Sequence, residues 1–469
     1  MLKFSESVLR CLLVASVLTL SAAASAGGGE PSRTLEQRVE RLEKLLAETR
    51  AELAAAKAST SADPQRLAEI ERQIEVLARE IEQLKIGEAA PAPAVAEIKN
   101  LRYGVGPAAS KVYGKKGVSI GGYGEFAYSR FAGLRQDGEA SGEQSHVDML
   151  RAVVYFGYKF DDHWVVNTEL EAEHAVTALD KGGEVEIEFA YLDYIFSRTL
   201  RARAGLILIP MGWINELHEP PTFLGTLRPE VEQRLIPTTW REIGAGFYGD
   251  AGRFSYRLYA VNSLNSAGYS SEGIREGSQE GSEALAENWA VTGRLDWTPV
   301  EGALVGASFF SGKSGQGRLT PAGRTFSGST TLFDVHADWK WRGLWLRGLY
   351  VRTTVSDVAA INEANALEGD ESAGSRQWGW YAQGGFDVLS LKPGSRASLT
   401  PFVRYERYDT QAQVPAGYAR NPENDVKVLT VGVVFKPIDP IAIKVDWEQK
   451  TNAARTGVNQ WNVGLGYLF

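Results

Sequence analysis

From residue 117 onward, apolar and polar positions alternate with a period of two, which predicts β-strands rather than helices. In "DVHADWKWR", Val335, Ala337, Trp339 and Trp341 fall on one face and His336, Asp338 and Lys340 on the other. "IAIKVDWEQ" sets Ile441, Ile443, Val445 and Trp447 against Lys444, Asp446 and Glu448. "NWAVTGRLDW" sets Trp289, Val291, Leu295 and Trp297 against Thr292, Arg294 and Asp296. Each segment is a strand with one apolar and one charged face.

Sixteen such segments begin near residues 119, 147, 163, 184, 200, 240, 253, 288, 303, 329, 344, 376, 396, 425, 440 and 458. Short connections such as "DDH", "SRT", "GDAG", "WRG" and "SLKPGSR" alternate with long ones, of which the third spans 210–239. A soluble β-sandwich would bury its apolar faces and share its turn lengths more evenly. An even strand count, short turns at one end and long loops at the other describe a transmembrane barrel, whose closure leaves no backbone group unpaired in lipid. The composition fits: 49 Gly, 12 Trp and 18 Tyr, many of the aromatics near strand ends. The fold class expected is all-β, a 16-stranded antiparallel transmembrane β-barrel over 117–469, preceded by an α-helical coiled-coil segment.

The first 116 residues follow other rules. Lys3 and Arg10, the apolar run Cys11–Leu20 and the small-residue site Ala24-Ser25-Ala26 read as a signal peptide over 1–26. Cys11 is the chain's only cysteine, so the processed protein would hold no disulfide. In 27–87, Leu35, Val39, Leu42, Leu46, Thr49 and Leu53 repeat in heptad steps, as do Leu67, Ile70, Ile74, Leu77, Ile81 and Leu84. Asp63 and Pro64 are suited to cap and start the second run. The arm is read as a self-associating coiled coil, with a surface helix pair as the alternative. Residues 88–116, rich in Ala and Pro at first, are read as a linker.

The last eight residues, "NVGLGYLF", are similar to the terminal signal of bacterial outer-membrane proteins, with Gly464, Tyr467 and Phe469 at the signal positions. The stretch "RAGLILIPMGWINELHEPPTFLGTLRPEVEQRLIPTTWREIGAGFYG" (203–249) resembles the fifth-strand, third-loop, sixth-strand unit of the phosphate-selective porin O/P family. That resemblance implies an outer-membrane porin, a passive diffusion channel for small hydrophilic solutes, anions such as phosphate or carboxylates among them. It implies a third loop that folds inward as the constriction, carrying Arg228, Arg234 and Arg241 on it or at its exit. It further implies outer-membrane lipid and sister copies in a homotrimer as partners, and the terminal signal implies the barrel assembly machinery; the helical arm, which that family does not explain but which resembles arms of some trimeric porins, is expected in the periplasm.

The polar face of each strand should line the lumen. On that basis Arg151, Arg201, Arg203, Arg257, Arg294 and Arg404 are candidate pore-lining cations, and rings of arginine favour anions. Glu169, Glu171 and Glu173 alternate on one strand, and Glu184, Glu186 and Glu188 on its neighbour, so an acidic patch is expected as well. With 58 acidic against 50 basic residues and a net charge of −8, the chain has no nucleic-acid signature. Three readings follow: Arg–Glu pairs as structural ladders, anion preference set by the third-loop arginines, or a general or cation-preferring pore. A non-conducting structural or adhesin barrel anchored through the coiled coil is the alternative to a channel. Enzymatic activity is not expected. None of His146, His163, His174, His218 and His336 stands at metal-ligand spacing from another, and neither a G-x-S-x-G elbow nor a phosphate loop occurs. No catalytic residue, cofactor or metal is assigned.

Overall fold

The computed structural model describes residues 103–177, 182–392 and 394–469, together with Lys44 and Ala47, which are helical. The chain divides into two units, 1–92 and 93–469, and the second holds the barrel. The signal segment, the heptad seams and the first part of the linker lie outside the described residues.

Sixteen strands follow in chain order: β1 Gly117–Phe131, β2 His146–Lys159, β3 Trp164–Glu173, β4 Val185–Ile195, β5 Arg201–Leu208, β6 Arg241–Ala251, β7 Phe254–Asn262 and β8 Trp289–Trp297, then β9 Ala303–Lys313, β10 Ser329–Trp341, β11 Leu344–Val355, β12 Arg376–Phe386, β13 Ser398–Gln413, β14 Asp425–Ile438, β15 Ile441–Asn452 and β16 Gln460–Leu468. Every strand starts within two residues of the position expected from the alternation. Each pairs antiparallel with its chain neighbours, and β16 returns to β1, with Tyr123 opposite Leu468 and Phe131 opposite Gln460. Phe469 continues the pairing through reciprocal backbone bonds with Gly122, 2.9 and 3.1 Å. One connection departs from the expected length pattern. Residues 387–397 between β12 and β13 form a longer turn, held by Asp387, whose carboxylate accepts from the amides of Leu389 (3.0 Å) and Leu399 (2.9 Å).

The two faces of the wall differ in kind. Val335, Trp339, Trp341, Trp289, Val291, Leu295 and Trp297 point outward and are exposed. Rings crowd the short-turn end of the outer face, where Trp164 meets Tyr194 edge-on at 4.6 Å and Phe254 stacks on Trp297 at 6.5 Å. The inward face instead buries ions. Arg203 donates to Asp193 at 2.8 Å, Arg294 to Asp296 at 2.8 Å and Arg347 to Asp338 at 2.7 Å. A soluble protein places these classes the other way round. An apolar exterior with aromatic belts and a charged interior is what a lipid solvent selects. The buried ions are tolerable because each is paired; removing one partner would leave a bare charge at a cost of roughly 3–5 kcal/mol.

Two further features depart from the sequence expectation. Residues 103–113, the end of the expected linker, are not an extended spacer but sit among the inward side chains. Val105, Ala108, Ala109, Val112 and Tyr113 are buried, and Ala109–Tyr113 forms a 3-10 turn. Tyr103 stacks on Tyr113 at 3.8 Å, the Tyr113 hydroxyl donates to Asp193 at 2.6 Å, and Arg203 donates to the Tyr103 carbonyl at 2.9 Å. The second is on β4, where the pairing with β3 slips between Glu169 and Leu170. A bulge of this kind turns two consecutive residues to one side, and Glu188 and Phe189 are both buried. Glu184 precedes β4 and is exposed, so it belongs to the loop rather than the wall.

Candidate functional site: the third loop within the barrel

Residues 209–240 connect β5 to β6 and are buried along almost their whole length. Their composition explains this. Ile209, Met211, Trp213, Ile214, Leu217, Phe223, Leu224, Val231, Leu235, Ile236 and Trp240 are far too apolar for a surface loop, and all are at most 2% exposed. Asn215 staples the two ends together: its amide donates to the carbonyls of Ile209 (2.7 Å) and Trp240 (2.8 Å), and its oxygen accepts from the Trp240 amide (2.6 Å). One short helix, α1 (Glu230–Leu235), lies near the tip, preceded by Pro229, which permits a helix start. Glu232 on α1 accepts from the backbone amides of Trp213 and Ile214, both at 2.7 Å, so the helix locks onto the start of its own loop.

The tip reaches strands β12, β13 and β15, of which β13 is eight strands from β5 in a ring of sixteen and so on the opposite wall. Arg404 donates to the Leu224 carbonyl (3.0 Å), and Lys444 donates to those of Phe223 (3.1 Å) and Gly225 (2.8 Å). The Thr226 amide donates to Asp446 at 2.5 Å and the Val231 amide to Glu406 at 3.0 Å. Glu230 accepts from Tyr408 (2.5 Å) and Lys450 (2.7 Å), and Glu232 from Tyr381 (2.6 Å). Thr226 and Pro220 lie against Gly464 and Gly466 of β16, where any Cβ would collide with them. Gly464 and Gly466 therefore give the loop its clearance, while Tyr467 and Phe469 are exposed. Glu219 accepts from the amides of Ala108 (2.9 Å) and Ala109 (3.3 Å), joining the loop to the 103–113 segment.

Burial sets the ionisation of the loop's acids. It pushes Glu219 up to about 7 and Glu232 upward as well. For Glu230 burial acts the same way but is outweighed by the Lys450 ammonium, so this carboxyl is held below its usual range. His218 is driven down to about 4 by burial, which keeps the ring neutral.

A cavity of about 340 Å³ opens between the loop and strands β2 to β4. It is lined by Arg151, Arg228, Arg241 and Arg275, and by Glu173, Glu184, Glu186, Glu188, Glu276 and Glu280. Of the third-loop arginines, Arg228 and Arg241 share this cavity and Arg234 does not. Arg234 is partly exposed and pairs with Glu272 at 3.0 Å. Arg241 pairs with Glu186, and lies 3.7 Å from Glu188 and 3.6 Å from Glu280. Arg228 is buried, with its Nε and Nη2 lacking hydrogen-bond partners among the described residues.

Of the six pore-lining arginines expected from alternation, Arg151 alone lines the cavity, and it is held by Glu171 (3.2 Å), Glu173 (3.2 Å) and Glu125 (3.5 Å). Arg201 is taken by Asp250 (3.1 Å), Arg257 by Glu216 (2.8 Å) and Asp296 (3.2 Å), and Arg404 by Glu406 (2.7 Å). Glu169 and Glu171 are buried behind the cavity. Sequence reasoning placed charge on the correct face without finding the partners. It missed Glu216, the loop acid that meets Arg257, and Asp193, although alternation along β4 puts Asp193 on the inward side. It saw His218 only beside Glu216 and Glu219 in the chain, an unspecific pattern. In space, His218 faces Glu169 at 3.2 Å and lies near Glu188.

No family model matches the chain. A protein of Aquifex aeolicus described only as uncharacterized is 38% identical over 376 residues, covering 78% of this chain and 83% of that one. Among solved structures, Salmonella typhi OmpF in complex with daunomycin superposes with a TM-score of 0.50 at 14% identity, over 75% of this chain and 97% of that one. An anion-selective porin from Comamonas acidovorans gives 0.48 at 12% identity, over 76% of this chain and all of that one. The OmpF likeness concerns the fold, a closed sixteen-stranded porin barrel.

Proposed function

The chain belongs to one family with the uncharacterized Aquifex aeolicus protein, and we propose that it is an outer-membrane porin, a passive diffusion channel for small hydrophilic solutes. The observation that carries this reading is the charged cavity of about 340 Å³ beside an inward-folded third loop. A barrel of sixteen strands is wide enough for a water-filled lumen. A loop laid across such a lumen, together with residues 103–113, would narrow it to a charged passage. A mere anchor needs neither the loop nor the buried polar contacts that hold it. The resemblance of 203–249 to the phosphate-selective porin O/P unit supports the same reading.

Selectivity would be set where charge faces the passage. The cavity wall holds six carboxylates against four guanidiniums, which favours a general pore with a weak cation preference. Most wall arginines are buried in ion pairs and are structural. One observation favours anions: the unpartnered guanidinium nitrogens of Arg228, a fork suited to phosphate or carboxylate.

Single-channel recording in planar bilayers under a KCl gradient decides between these readings. A small reversal potential of cation sign is expected, and Arg228→Gln should increase it. An anion-sign potential that Arg228→Gln abolishes would establish the second reading instead. Purified, folded protein that never conducts would sink the channel reading. Conductance steps grouped in threes would accompany a homotrimer.

A further inference from the structure

His218 stands on the third loop, Glu169 on β3 and Glu188 at the bulge of β4, and all three are buried. One donor atom from each lies within 4.8 Å of the other two. His218 Nδ1 is 3.2 Å from the Asn215 carbonyl, which can only accept, so the ring proton sits on Nδ1. The other ring nitrogen, Nε2, faces Glu169 Oε1, 3.2 Å away. An imidazole nitrogen and a carboxylate oxygen at that separation can both reach one ion.

The carboxylates point the same way. Glu188 Oε2 is buried without a hydrogen-bond partner among the described residues, whereas Glu169 is hydrogen-bonded by Tyr155. A buried polar oxygen left bare in this way costs roughly 1–3 kcal/mol. The second oxygen of Glu188 accepts from Thr239, which orients the carboxylate. Oriented ligands with outward partners on their far sides are the usual build of a metal site. Glu188 also lines the charged cavity, which supplies an entry path.

We propose that Glu169, Glu188 and His218 bind one divalent transition-metal cation of the Zn2+ class, tying the third loop to β3 and β4. The ligand chemistry selects the class. Carboxylates alone suit Mg2+ or Ca2+, whereas an imidazole nitrogen with two carboxylates suits Zn2+ and its first-row neighbours. Chain spacing hides the site, because the three residues come from separate elements.

The test uses the whole processed protein in detergent, free of any histidine tag, stripped with a chelator and titrated with Zn2+ against a competing chromophoric chelator. One tightly held Zn2+ per chain is expected, with affinity falling about 10-fold or more in Glu169→Gln, Glu188→Gln and His218→Gln. Equal binding by the wild type and all three variants would overturn the proposal, as would displacement of Zn2+ by equimolar Mg2+ or Ca2+. Should the variants fail to fold, X-ray absorption of the Zn2+-loaded wild type decides. One imidazole nitrogen among oxygens supports the site; an all-oxygen shell or several imidazoles refutes it. Metal binding is read without any current across a bilayer, so its failure and that of the channel reading are separate results.

Discussion

Glu232 is the residue on which the position of the third loop turns. Its side chain is fully buried, and one carboxylate accepts three hydrogen bonds: the Trp213 and Ile214 amides at 2.7 Å and the Tyr381 hydroxyl at 2.6 Å. Glu232→Ala strands two buried amides and a hydroxyl. At roughly 1–3 kcal/mol for each stranded group, less what local relaxation recovers, the loop should lose about 3–4 kcal/mol. Glu232→Gln keeps an oxygen for the two amides and can donate its NH2 to the Tyr381 oxygen, so it should cost about 1 kcal/mol. The assay places a reporter next door by Val231→Cys, in a Cys11→Ser background because Cys11 is the one native cysteine. Val231 is fully buried, so a thiol there reacts with a small reagent only when the loop opens. At about 1.4 kcal/mol per tenfold, Glu232→Ala should speed labelling by ~100- to 1,000-fold, and Glu232→Gln by less than ~10-fold. The barrel's strand pairing does not involve Glu232, so the circular dichroism of the sheet should be unchanged. Equal labelling of the alanine and glutamine variants, or of the alanine variant and the wild type, would refute this reasoning.

Two further outcomes follow from the same geometry. The folded-state pKa of Glu230 is depressed, so its contribution is present above the unfolded carboxyl pKa near ~4.3 and is lost as pH falls through the folded value. Glu230→Gln should therefore loosen the loop by about 1–2 kcal/mol at about pH 7, and the gap should close in acid; hydrogen exchange of the loop amides that shows a constant gap would contradict this. Gly466→Val should push Pro220 away from β16 at an overpacking cost of about 1–3 kcal/mol, raising exchange in 217–226 while the barrel still refolds in vitro. Unaltered exchange there would show that the clearance is immaterial.

The barrel was legible in the sequence because its determinant is local. A strand that faces lipid on one side and charge on the other must alternate at period two, whatever it pairs with. Strand positions, faces, connection order and the identity of the third loop therefore all follow from neighbouring residues. The small misses were local too. The bulge at Glu188 broke the alternation, and Asp387 lengthened the β12–β13 turn by tying back its backbone.

Tertiary structure decided everything that depends on what meets across the lumen. Arg257 and Arg294 read equally well as filter cations or as partners of Asp296 and Glu216, because a one-dimensional pattern records a face and no distance. The apolar positions of residues 103–113 follow no regular period, and contacts with Asp193 and Glu219 give the segment its shape. His218 stood in the chain only beside Glu216 and Glu219, and met Glu169 only when the third loop reached β3. Alternation determined which side chains enter the lumen. Closure of the ring, which brings residues hundreds of positions apart within hydrogen-bonding distance, determined which of them pair there and which remain available to a solute or an ion.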